Sequence, residues 1–432
     1  MSKPVIGFAG MTHLGINSAA AAAGSGCETV CFDAETAVIA KLKTGQLPVL
    51  EPGLLELIEQ NKSRILYTAE VEDLKRCDVV YVAADVPTDD QALSELSSIR
   101  TLIDTVTAGL RSDAILVILC QVPPGFTRSL ALPKEQRYYQ VETLIFGRAV
   151  ERATHPERFI IGCAEPDRPL PPALHAFLSA FGCPILPMRY ESAELAKISI
   201  NCCLVASVTV ANTLAELSER IGADWSEIAP ALKLDKRIGS HSYLSPGLGL
   251  AGGNLERDLA TVLHLATAMG SEASLIESFV RNSRHRRDWV LRTLHTEVLA
   301  TNSKAVIGVL GLAYKENTHS TKNSPSLALI AQLKPWRLRV HDPVVPISVV
   351  AHSEATGCAT AMEAAQGADV LVIMTPWPNF RDLTAHQLAY VMAGRTIIDP
   401  YRVLDGKEIA AIGLDYFSLG VPPLRAGGEG RC

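Results

Sequence analysis

The first 33 residues contain the pattern that most narrows the fold of this 432-residue chain. A buried strand is predicted over residues 5–9, and an alanine-rich helix follows it. A second strand, over residues 28–32, ends at Asp33. A strand, a glycine turn, a helix, a strand and a terminal acid form the opening unit of a dinucleotide-binding fold. In such a unit the pyrophosphate lies at the helix N-terminus and the acid binds the ribose hydroxyls.

The glycine turn departs from the usual Gly-x-Gly-x-x-Gly fingerprint. Residues 7–15 read Gly-Phe-Ala-Gly-Met-Thr-His-Leu-Gly, which we interpret as Ala9 in one glycine slot and about three extra residues in the turn. His13 is interpreted as a loop histidine. Asp33 favours NAD over NADP. The predicted cofactor residues of this unit are Gly7, Gly10, Gly15 and Asp33.

Composition argues against several other classes of protein. The hydrophobic content is 48%, and a formal charge of −6 argues against a nucleic-acid binder. We identify no apolar run of the roughly 18 residues that a membrane span needs, and no signal peptide, so we expect a cytoplasmic protein without membrane contact. The ten cysteines contain no Cys-x-x-Cys pair, which indicates reduced thiols and no metal site.

Further strands and two long helices predict the domain organisation. The predicted helices cover residues 191–220 and 272–300, and the basic run over residues 281–287 is interpreted as a solvated or interface face. The predicted strands cover residues 79–83, 115–119, 305–310, 337–341, 370–374 and 396–398. We therefore expect an α/β protein with two Rossmann-like doubly wound domains joined by a helical dimerisation domain. The expected boundaries are 1–185 for the NAD-binding domain, 186–300 for the helical domain and 301–432 for the second Rossmann-like domain.

The most glycine-rich stretch lies in the middle of the chain. Residues 243–258 read Tyr-Leu-Ser-Pro-Gly-Leu-Gly-Leu-Ala-Gly-Gly-Asn-Leu-Glu-Arg-Asp. Such dense glycine lets the backbone approach a ligand or adopt positive φ. The alternative is a surface loop ending in a helix N-cap at Asn254.

This stretch, with Arg-Ile-Gly at residues 237–239 before it, resembles the active-site loop of UDP-glucose dehydrogenase and its nucleotide-sugar dehydrogenase relatives. The family pattern is Arg-Ile-Gly, then Phe-Leu, then a glycine-rich segment with Ser-Cys-Phe-x-Lys-Asp. Aligning Tyr243 and Leu244 with Phe-Leu carries the match to Asp258 without a gap. The nucleophilic cysteine of the family then falls on Asn254. The resemblance extends over about residues 3–420 and keeps the motif order of three domains.

Other motifs of the NAD-binding part also resemble the family. Val86 lies in Asp-Val-Pro-Thr, where the family binds the nicotinamide half. Gln121 replaces the catalytic threonine of Ser-Thr-Val-Pro-x-Gly and would also contact the cofactor, while the neighbouring Cys120 is expected to face away. In the family pattern Glu-Phe-Leu-x-Glu-Gly, the first glutamate is kept as Glu142 and the second is Phe146.

The long helix carries two residues that the resemblance assigns to catalysis. Lys197 and Asn201 are four residues apart and therefore share a helix face. The resemblance implies that Lys197 acts as base or oxyanion donor, with Asn201 and Asp258 orienting it.

The resemblance also implies a substrate and an assembly. Arg237 would reach across a homodimer interface, and Lys322 stands where the family has arginine, which exchanges a bidentate fork for a point charge. The implied substrate is a nucleotide sugar, most simply a UDP-hexose. The expected substrate-binding residues are Arg237, Tyr243, Leu244, Gly249, Lys315 and Arg402.

Three positions that differ from the family pattern, Asn254, Gln121 and Phe146, determine the functional hypothesis. Asparagine cannot form the covalent thiol adduct through which the family oxidises its aldehyde intermediate. We therefore predict an NAD-dependent oxidoreductase that acts on a nucleotide-linked sugar with a single hydride step. The alternatives are a redox-neutral epimerase with bound NAD, a non-catalytic nucleotide-sugar binder, and an ordinary UDP-sugar 6-dehydrogenase with an unusual mechanism.

Overall fold

The computed structural model describes residues 3–49, 51–88 and 94–427. The chain divides into two compact units, residues 1–200 and 201–432. The predicted three-domain boundaries stay a prediction, since this division groups the middle helices with the C-terminal sheet. The α/β class with two parallel, Rossmann-like sheets and a helical region between them is confirmed.

The N-terminal unit is built on one sheet. Its strands are β1 (Ile6–Ala9), β2 (Thr29–Phe32), β3 (Ile65–Thr68), β4 (Val79–Val82), β5 (Ile115–Ile118), β6 (Arg137–Gln140), β7 (Phe159–Cys163) and β8 (Ile185–Arg189). Its helices are α1 (His13–Gly24), α2 (Thr36–Lys43), α3 (Leu54–Asn61), α4 (Ser97–Gly109), α5 (Phe126–Ser129), α6 (Ala149–Thr154) and α7 (Pro172–Ser179), with 3-10 turns at Lys62–Arg64 and Val71–Arg76.

Within the described residues the strand order of this sheet is β3-β2-β1-β4-β5-β6-β7-β8. The first six strands are parallel and in the order of a dinucleotide-binding fold, and β7 pairs with β6 in the antiparallel direction. Both faces are covered, because Val79 and Tyr81 point into one core and Val80 and Val82 point into the other. The sheet order reverses between β1 and β4, so ligands are expected at the carboxyl ends of these strands.

Helix α8 (Tyr190–Ile221) follows β8 and confirms the first predicted long helix. It is long and apolar enough to cross a membrane by length and composition alone, with a third of its most apolar window buried in the protein. The expectation that no such segment exists was therefore wrong.

The prediction of a second long, continuous helix was also wrong. Residues 272–300 form α11 (Ser274–Arg287), α12 (Trp289–Leu294) and a π turn, after α9 (Trp225–Leu234) and α10 (Asn254–Met269). The break at Asp288 accompanies two buried contacts: the Arg286 guanidinium meets Glu216, and the Trp289 indole N–H donates to Glu219 at 2.9 Å. Arg286 is fully buried, so the basic run is not a solvated face at this residue.

The C-terminal sheet repeats the topology of the first. Its strands are β9 (Val306–Leu310), β10 (Arg337–His341), β11 (Ala355–Gly357), β12 (Val370–Ile373), β13 (Thr396–Ile398) and β14 (Asp415–Phe417). Its helices are α13 (Pro325–Gln332), α14 (Ala361–Ala365), α15 (Ala385–Val391) and α16 (Gly406–Ala411), with 3-10 turns at Ile347–Val349 and Pro378–Asp382. The strands pair in parallel in the order β11-β10-β9-β12-β13-β14.

Candidate active site

The turn between β1 and α1 corrects the predicted register of the glycine fingerprint. The strand ends at Ala9, Gly10 has a φ of 93°, and the helix begins at His13. A Cβ on Gly15 would lie 1.8 Å from the carbonyl oxygen of Gly10, so the helix packs on the turn only with glycine at this position. The fingerprint therefore runs from Gly10 to Gly15 without extra residues, and Thr12 occupies its second glycine slot.

Gly7 lies inside β1 and not in the turn. A Cβ on Gly7 would meet the Cys77 sulfur at 3.0 Å and the Val80 side chain at 3.1 Å. The predicted position of Gly7 in the cofactor turn was wrong, since this glycine serves the packing between the strand and the segment before β4. His13 was also misplaced, because it is the first residue of α1 and is buried.

Asp33 directly follows β2 and lies beside the glycine turn. One carboxylate oxygen accepts the N–H of Met11 at 2.8 Å and the other accepts the N–H of Glu35 at 3.0 Å. Val86, 9% exposed, follows β4 on the neighbouring loop. Helix α1 has no side-chain N-cap, and its first intrahelical bond is donated by Ile16. The turn, the uncapped helix start and the acid after β2 fit a dinucleotide.

The loop after β6 is held against the start of α1 by residues that the sequence analysis did not combine. The Phe146 ring stacks on the His13 ring with centroids 3.9 Å apart. The fully buried Glu51 carboxylate contacts His13 Nε2 at 2.9 Å and accepts the N–H of Gly147 at 2.7 Å. Phe146 thus anchors this loop by stacking, at the position where the family pattern has a glutamate.

Glu142 lies at the start of the same loop and pairs with the long helix. Its Oε2 is 3.2 Å from Nζ of Lys197, and the two side chains are only 17% and 11% exposed. The structure therefore brings together two of the catalytic candidates of the N-terminal unit, Glu142 and Lys197. An ammonium and a carboxylate in a largely buried pair are arranged to relay a proton or to stabilise an oxyanion.

The loop after β5 carries Gln121, which is 9% exposed. Cys120 beside it is fully buried, its thiol lies 3.3 Å from the carbonyl oxygen of Val82, and burial raises its pKa to about 12. The prediction that Cys120 faces away from Gln121 is consistent with this contact. A thiol with this pKa supplies almost no thiolate at neutral pH.

Glu194 was missed by the sequence analysis. It lies on the buried face of α8, and its two carboxylate oxygens accept the N–H groups of Gly125 and Thr127 at 2.6 and 2.8 Å. Burial, only partly opposed by these bonds, raises the pKa of Glu194. The residue fixes the end of the loop that carries Gln121. The sequence did contain a signal for this role, because Glu194 is a charged residue between apolar residues of a predicted helix.

In the C-terminal unit, α8 and α10 meet through a buried polar pair. The amide Nδ2 of Asn201 donates to Oδ2 of Asp258 at 2.5 Å, and the Arg257 guanidinium lies 3.8 Å from the other oxygen. Asp258 is 1% exposed and Asn201 is 8% exposed. Cys202 packs beside this pair, where burial first and Asp258 second raise its pKa to about 11.

The glycine-rich loop is pinned at several of its glycines. Gly247 N–H donates to Asn212, and Leu250 N–H donates to the Ser283 hydroxyl, both at 2.8 Å. Gly249 has a φ of 76°, and a Cβ there would lie 2.4 Å from the Ser283 carbonyl oxygen. Gly249 is therefore required by packing, whatever its role toward a ligand.

Asn254 is the first residue of α10 and its side chain is exposed. The helix is capped by Gly253, so the alternative in which Asn254 serves as the N-cap was wrong. The loop after β9 covers the glycines before it: a Cβ on Gly252 would meet the Tyr314 ring at 3.2 Å, and Gly252 N–H donates to the Lys322 carbonyl at 3.1 Å. The Gly-Leu-Ala-Tyr-Lys motif, which contains Lys315, thus lies next to the glycine-rich loop.

A cleft of about 270 Å³ in the C-terminal unit contains two of the predicted substrate residues, Leu244 and Arg402. Its other lining residues are Trp225, Ser226, Ala229, Ser245, Pro246, Pro400, Tyr401 and Leu419. The Arg402 guanidinium donates to Asp224 at 3.0 Å, and the Trp225 indole N–H donates to the Leu244 carbonyl oxygen at 2.7 Å.

The remaining substrate candidates lie on the surface or elsewhere in the unit. Tyr243 is 47% exposed beside Leu244, and Lys315 places its ammonium 5.7 Å from the Tyr314 ring centroid. Arg237 is 89% exposed and forms an ion pair with Asp235 at 2.6 Å within its own chain. The structure thus brings Arg402 and Leu244 into one cleft and leaves Arg237 outside it.

Two doubly wound sheets, the first with a dinucleotide cradle at its switch point, define an NAD-dependent oxidoreductase of the two-Rossmann class. Family models describe each part: the NAD binding domain of the UDP-glucose/GDP-mannose dehydrogenase family matches residues 5–172, its central domain 191–284 and its UDP binding domain 308–406. The chain belongs to this family. Its cofactor is NAD, and its substrate is a nucleotide sugar.

Relatives match the chain over nearly its whole length. It is 27% identical to UDP-glucose 6-dehydrogenase TuaD of Bacillus subtilis, covering 97% of this chain and 94% of the relative. It is 28% identical to the UDP-glucose 6-dehydrogenase of Rhizobium meliloti, covering 96% and 98%. The fold also matches a UDP-glucose dehydrogenase from Pyrobaculum islandicum, with a TM-score of 0.82 at 24% identity over 92% and 94% of the two chains.

Proposed function

We propose that this NAD-dependent dehydrogenase transfers one hydride per cycle from a UDP-hexose and does not form a thioester. The observation that carries the proposal is Asn254 at the start of α10, directly after the glycine-rich loop. By resemblance this is the position of the nucleophilic cysteine. A carboxamide is neither a nucleophile nor a base, so the covalent second oxidation has no partner here.

Cys120 and Cys202 do not supply the missing nucleophile. Cys120 is buried and packs on Val82, and burial raises its pKa to about 12. Cys202 lies beside the Asp258 carboxylate, and burial with that charge raises its pKa to about 11. Both groups are therefore thiols at neutral pH, and the thiolate is the reactive form.

The residues that remain are sufficient for one oxidation of an alcohol. Bound NAD would accept the hydride from the carbinol carbon. The Lys197 and Glu142 pair would take the hydroxyl proton or stabilise the developing oxyanion, and the aldehyde or ketone would leave unchanged. In the C-terminal unit, Asn201, held by Asp258, is the residue to which the resemblance assigns orientation of the reacting oxygen. This proton route uses neither Gln121 nor Phe146, which replace the threonine and glutamate of the family pattern.

The substrate assignment follows from the C-terminal unit. Arg402 and Leu244 line one cleft, and a guanidinium can bind a diphosphate with two parallel hydrogen bonds. Lys315 would add a second positive charge near the glycine-rich loop.

We also infer a homodimer, formed through the exposed apolar face of α8. In this dimer, Arg237 of each copy would reach the substrate bound by the other copy. We expect the enzyme to act in the cytoplasm, where NAD and UDP-sugars are available.

The test is to incubate the protein with NAD and a panel of UDP-hexoses while following NADH absorbance and product mass together. The proposal predicts one NADH for each product, whose mass is two units below that of the substrate. A product fourteen units heavier with two NADH would mean that acid formation survives without the cysteine. An isomeric product without NADH would indicate an epimerase, and binding without isotope exchange would indicate a non-catalytic binder; each of these results overturns the proposal.

A further inference from the structure

The cofactor turn has one feature that its fingerprint does not explain, namely the side chain of Thr12. In this fingerprint the first glycine makes the tight turn, the third allows the helix to pack, and the second lets the backbone approach the pyrophosphate. Gly10, with its positive φ, and Gly15, with no room for a Cβ, fill the first and third roles. Thr12 therefore places a hydroxyl and a methyl group where a dinucleotide-binding protein normally has neither.

The Thr12 hydroxyl is held in place but is only partly used. Thr12 has an extended backbone, with φ −85° and ψ −168°, and its side chain does not cap α1. Its Oγ1 instead accepts the N–H of Asp85, on the loop after β4, at 3.0 Å. Within the described residues no acceptor for the hydroxyl hydrogen is found. Since a hydroxyl donates one hydrogen bond and accepts two, this group keeps one donor available.

The surroundings of Thr12 favour a phosphate as the missing acceptor. The N–H groups of the first turn of α1 precede the first intrahelical hydrogen bond, which Ile16 donates to Thr12, and no side chain caps them. A pyrophosphate at this helix start would be met by these N–H groups and by the helix dipole. The donor of Thr12 stands at the same helix start, half-buried and already oriented by the Asp85 N–H.

We propose that Thr12 takes over the role of the second fingerprint glycine as a side-chain ligand of the NAD pyrophosphate. Its hydroxyl accepts from Asp85 and donates to a phosphate oxygen, so that close backbone approach is replaced by a charge-assisted hydrogen bond. The same hydroxyl couples the pyrophosphate turn to the loop that carries Val86. This inference rests on NAD binding and not on the single-step reaction, and it is tested without turnover.

The experiment measures binding of NAD and of ADP-ribose by calorimetry to the wild type and to three variants. Thr12→Val keeps the volume but removes the hydroxyl, and we expect both ligands to bind at least about tenfold more weakly, as for loss of one hydrogen bond to a charged group. Thr12→Ser keeps the hydroxyl and is expected to stay within about threefold of the wild type. Thr12→Gly restores the fingerprint residue and is expected not to exceed the wild-type affinity.

Three outcomes would overturn the proposal. If Thr12→Val binds NAD as tightly as the wild type, the hydroxyl makes no contact with the cofactor. If Thr12→Gly binds more tightly than the wild type, the side chain is an obstruction and not a ligand. If NAD weakens but ADP-ribose does not, the effect acts through the Asp85 loop on the nicotinamide half. UDP affinity, which involves the C-terminal unit, serves as the control that each variant is folded.

Discussion

Two aspartates occupy equivalent places in the two sheets, Asp33 after β2 and Asp342 after β10. Asp33 accepts two backbone N–H groups and keeps acceptor capacity for a ribose. Asp342 accepts the N–H groups of Leu312, Ala313, Val344 and Val345 and the indole N–H of Trp377. The carboxylate of Asp342 is thus engaged by hydrogen bonds from the protein itself.

The hydrogen bonds that the Asp342 carboxylate accepts predict that the stability of the fold depends on pH. Burial alone would raise the pKa of Asp342, but its backbone hydrogen bonds outweigh burial and hold the pKa below its ordinary value. A lowered pKa in the folded state gives stability that is present above the unfolded value, roughly 3.9, and is lost as the pH falls through the folded value. In thermal unfolding scans, Asp342→Asn should unfold at lower temperature than the wild type at pH 7, and this difference should shrink toward pH 3. A difference that is constant with pH would exclude titration of Asp342 as its cause.

Asn254 gives a second prediction at the level of a single residue. Asn254→Cys restores a thiol at the start of α10, but Gln121 and Phe146 still replace the threonine and the glutamate to which the family resemblance assigns the handling of water. We therefore expect this variant to form a covalent adduct with the oxidised sugar and to release it slowly. Intact-protein mass spectrometry after incubation with NAD and the substrate should show up to one adduct per chain.

The matched control for this prediction is Asn254→Ser, which has similar size and no thiol. It should show no adduct and should retain single-step turnover. If Asn254→Cys instead releases a sugar acid with two NADH at each turnover, then Gln121 and Phe146 are compatible with hydrolysis. The interpretation that these two residues slow the release of the adduct would then be wrong.

At the level of elements, the C-terminal half of α8 is joined to α11 and α12 by a buried ion network. The Arg286 guanidinium, fully buried, contacts Glu216 at 2.9 Å and Glu219 at 3.3 Å. Glu219 also accepts the N–H of Gly420 at 2.9 Å and the Trp289 indole N–H. The carboxylates and the guanidinium compensate one another where water is excluded.

Removal of the central cation should therefore be costly. Arg286→Met removes the fully buried cation that contacts the largely buried carboxylates of Glu216 and Glu219, and breaking a buried pair typically costs about 3–5 kcal/mol. We expect a large fall in the thermal midpoint measured by calorimetry, while Arg281→Met, on the exposed face of α11, should change it little. If the double variant Arg286→Met with Glu219→Gln recovers much of the loss, the cause is the uncompensated charge and not lost packing. Equal losses in the single and double variants would contradict this account.

The elements that local patterns specify were predicted within a residue or two, and the errors arose where tertiary contacts decide. The strand over residues 337–341 and helix α8 follow from hydrophobic periodicity alone. The register of the cofactor turn could not be predicted from local patterns, because Ala9 and Gly10 are both acceptable turn residues. Pairing of Ala9 with Phe32 and Val82 keeps it in β1 and moves the turn to Gly10. Likewise, no local signal distinguishes Arg286 from its exposed neighbours, since its burial depends on two glutamates about 70 positions earlier.

For the candidate site, the sequence singled out Lys197, Asn201, Glu142 and Asp258 but not which of them pair or which groups position them. Lys197 and Asn201 were placed on one helix face by their spacing, whereas the structure pairs Lys197 with Glu142 and Asn201 with Asp258. The contact of Phe146 with His13 was not predictable, because it joins a loop residue to a helix start that the misplaced turn had hidden. Resemblance supplied the functional assignment of these residues, and periodicity supplied only their location.

At the scale of the whole molecule, the exposed apolar face of α8 needs an explanation. Val210, Leu214, Leu217 and Ile221 recur three or four residues apart and are 51%, 40%, 49% and 66% exposed. The opposite face of this helix is buried and polar in places, because Asn212 binds the glycine-rich loop and Glu216 binds Arg286. A helix with only one free apolar face suits packing against a second copy better than insertion into lipid, where all faces must be apolar.

We expect that charges on this face dissociate the dimer. In sedimentation or light-scattering measurements the wild type should be a dimer, and the double variant Leu214→Glu with Leu217→Glu should be a monomer or dissociate at least about tenfold more readily, since buried charges oppose a self-complementary interface. Leu234→Glu, which alters a residue that is 85% exposed outside α8, should remain a dimer. A monomeric wild type, or an α8 variant that stays dimeric, would show that this face is not the interface. Binding of the wild type to phospholipid vesicles that the α8 variant lacks would instead assign the face to a membrane.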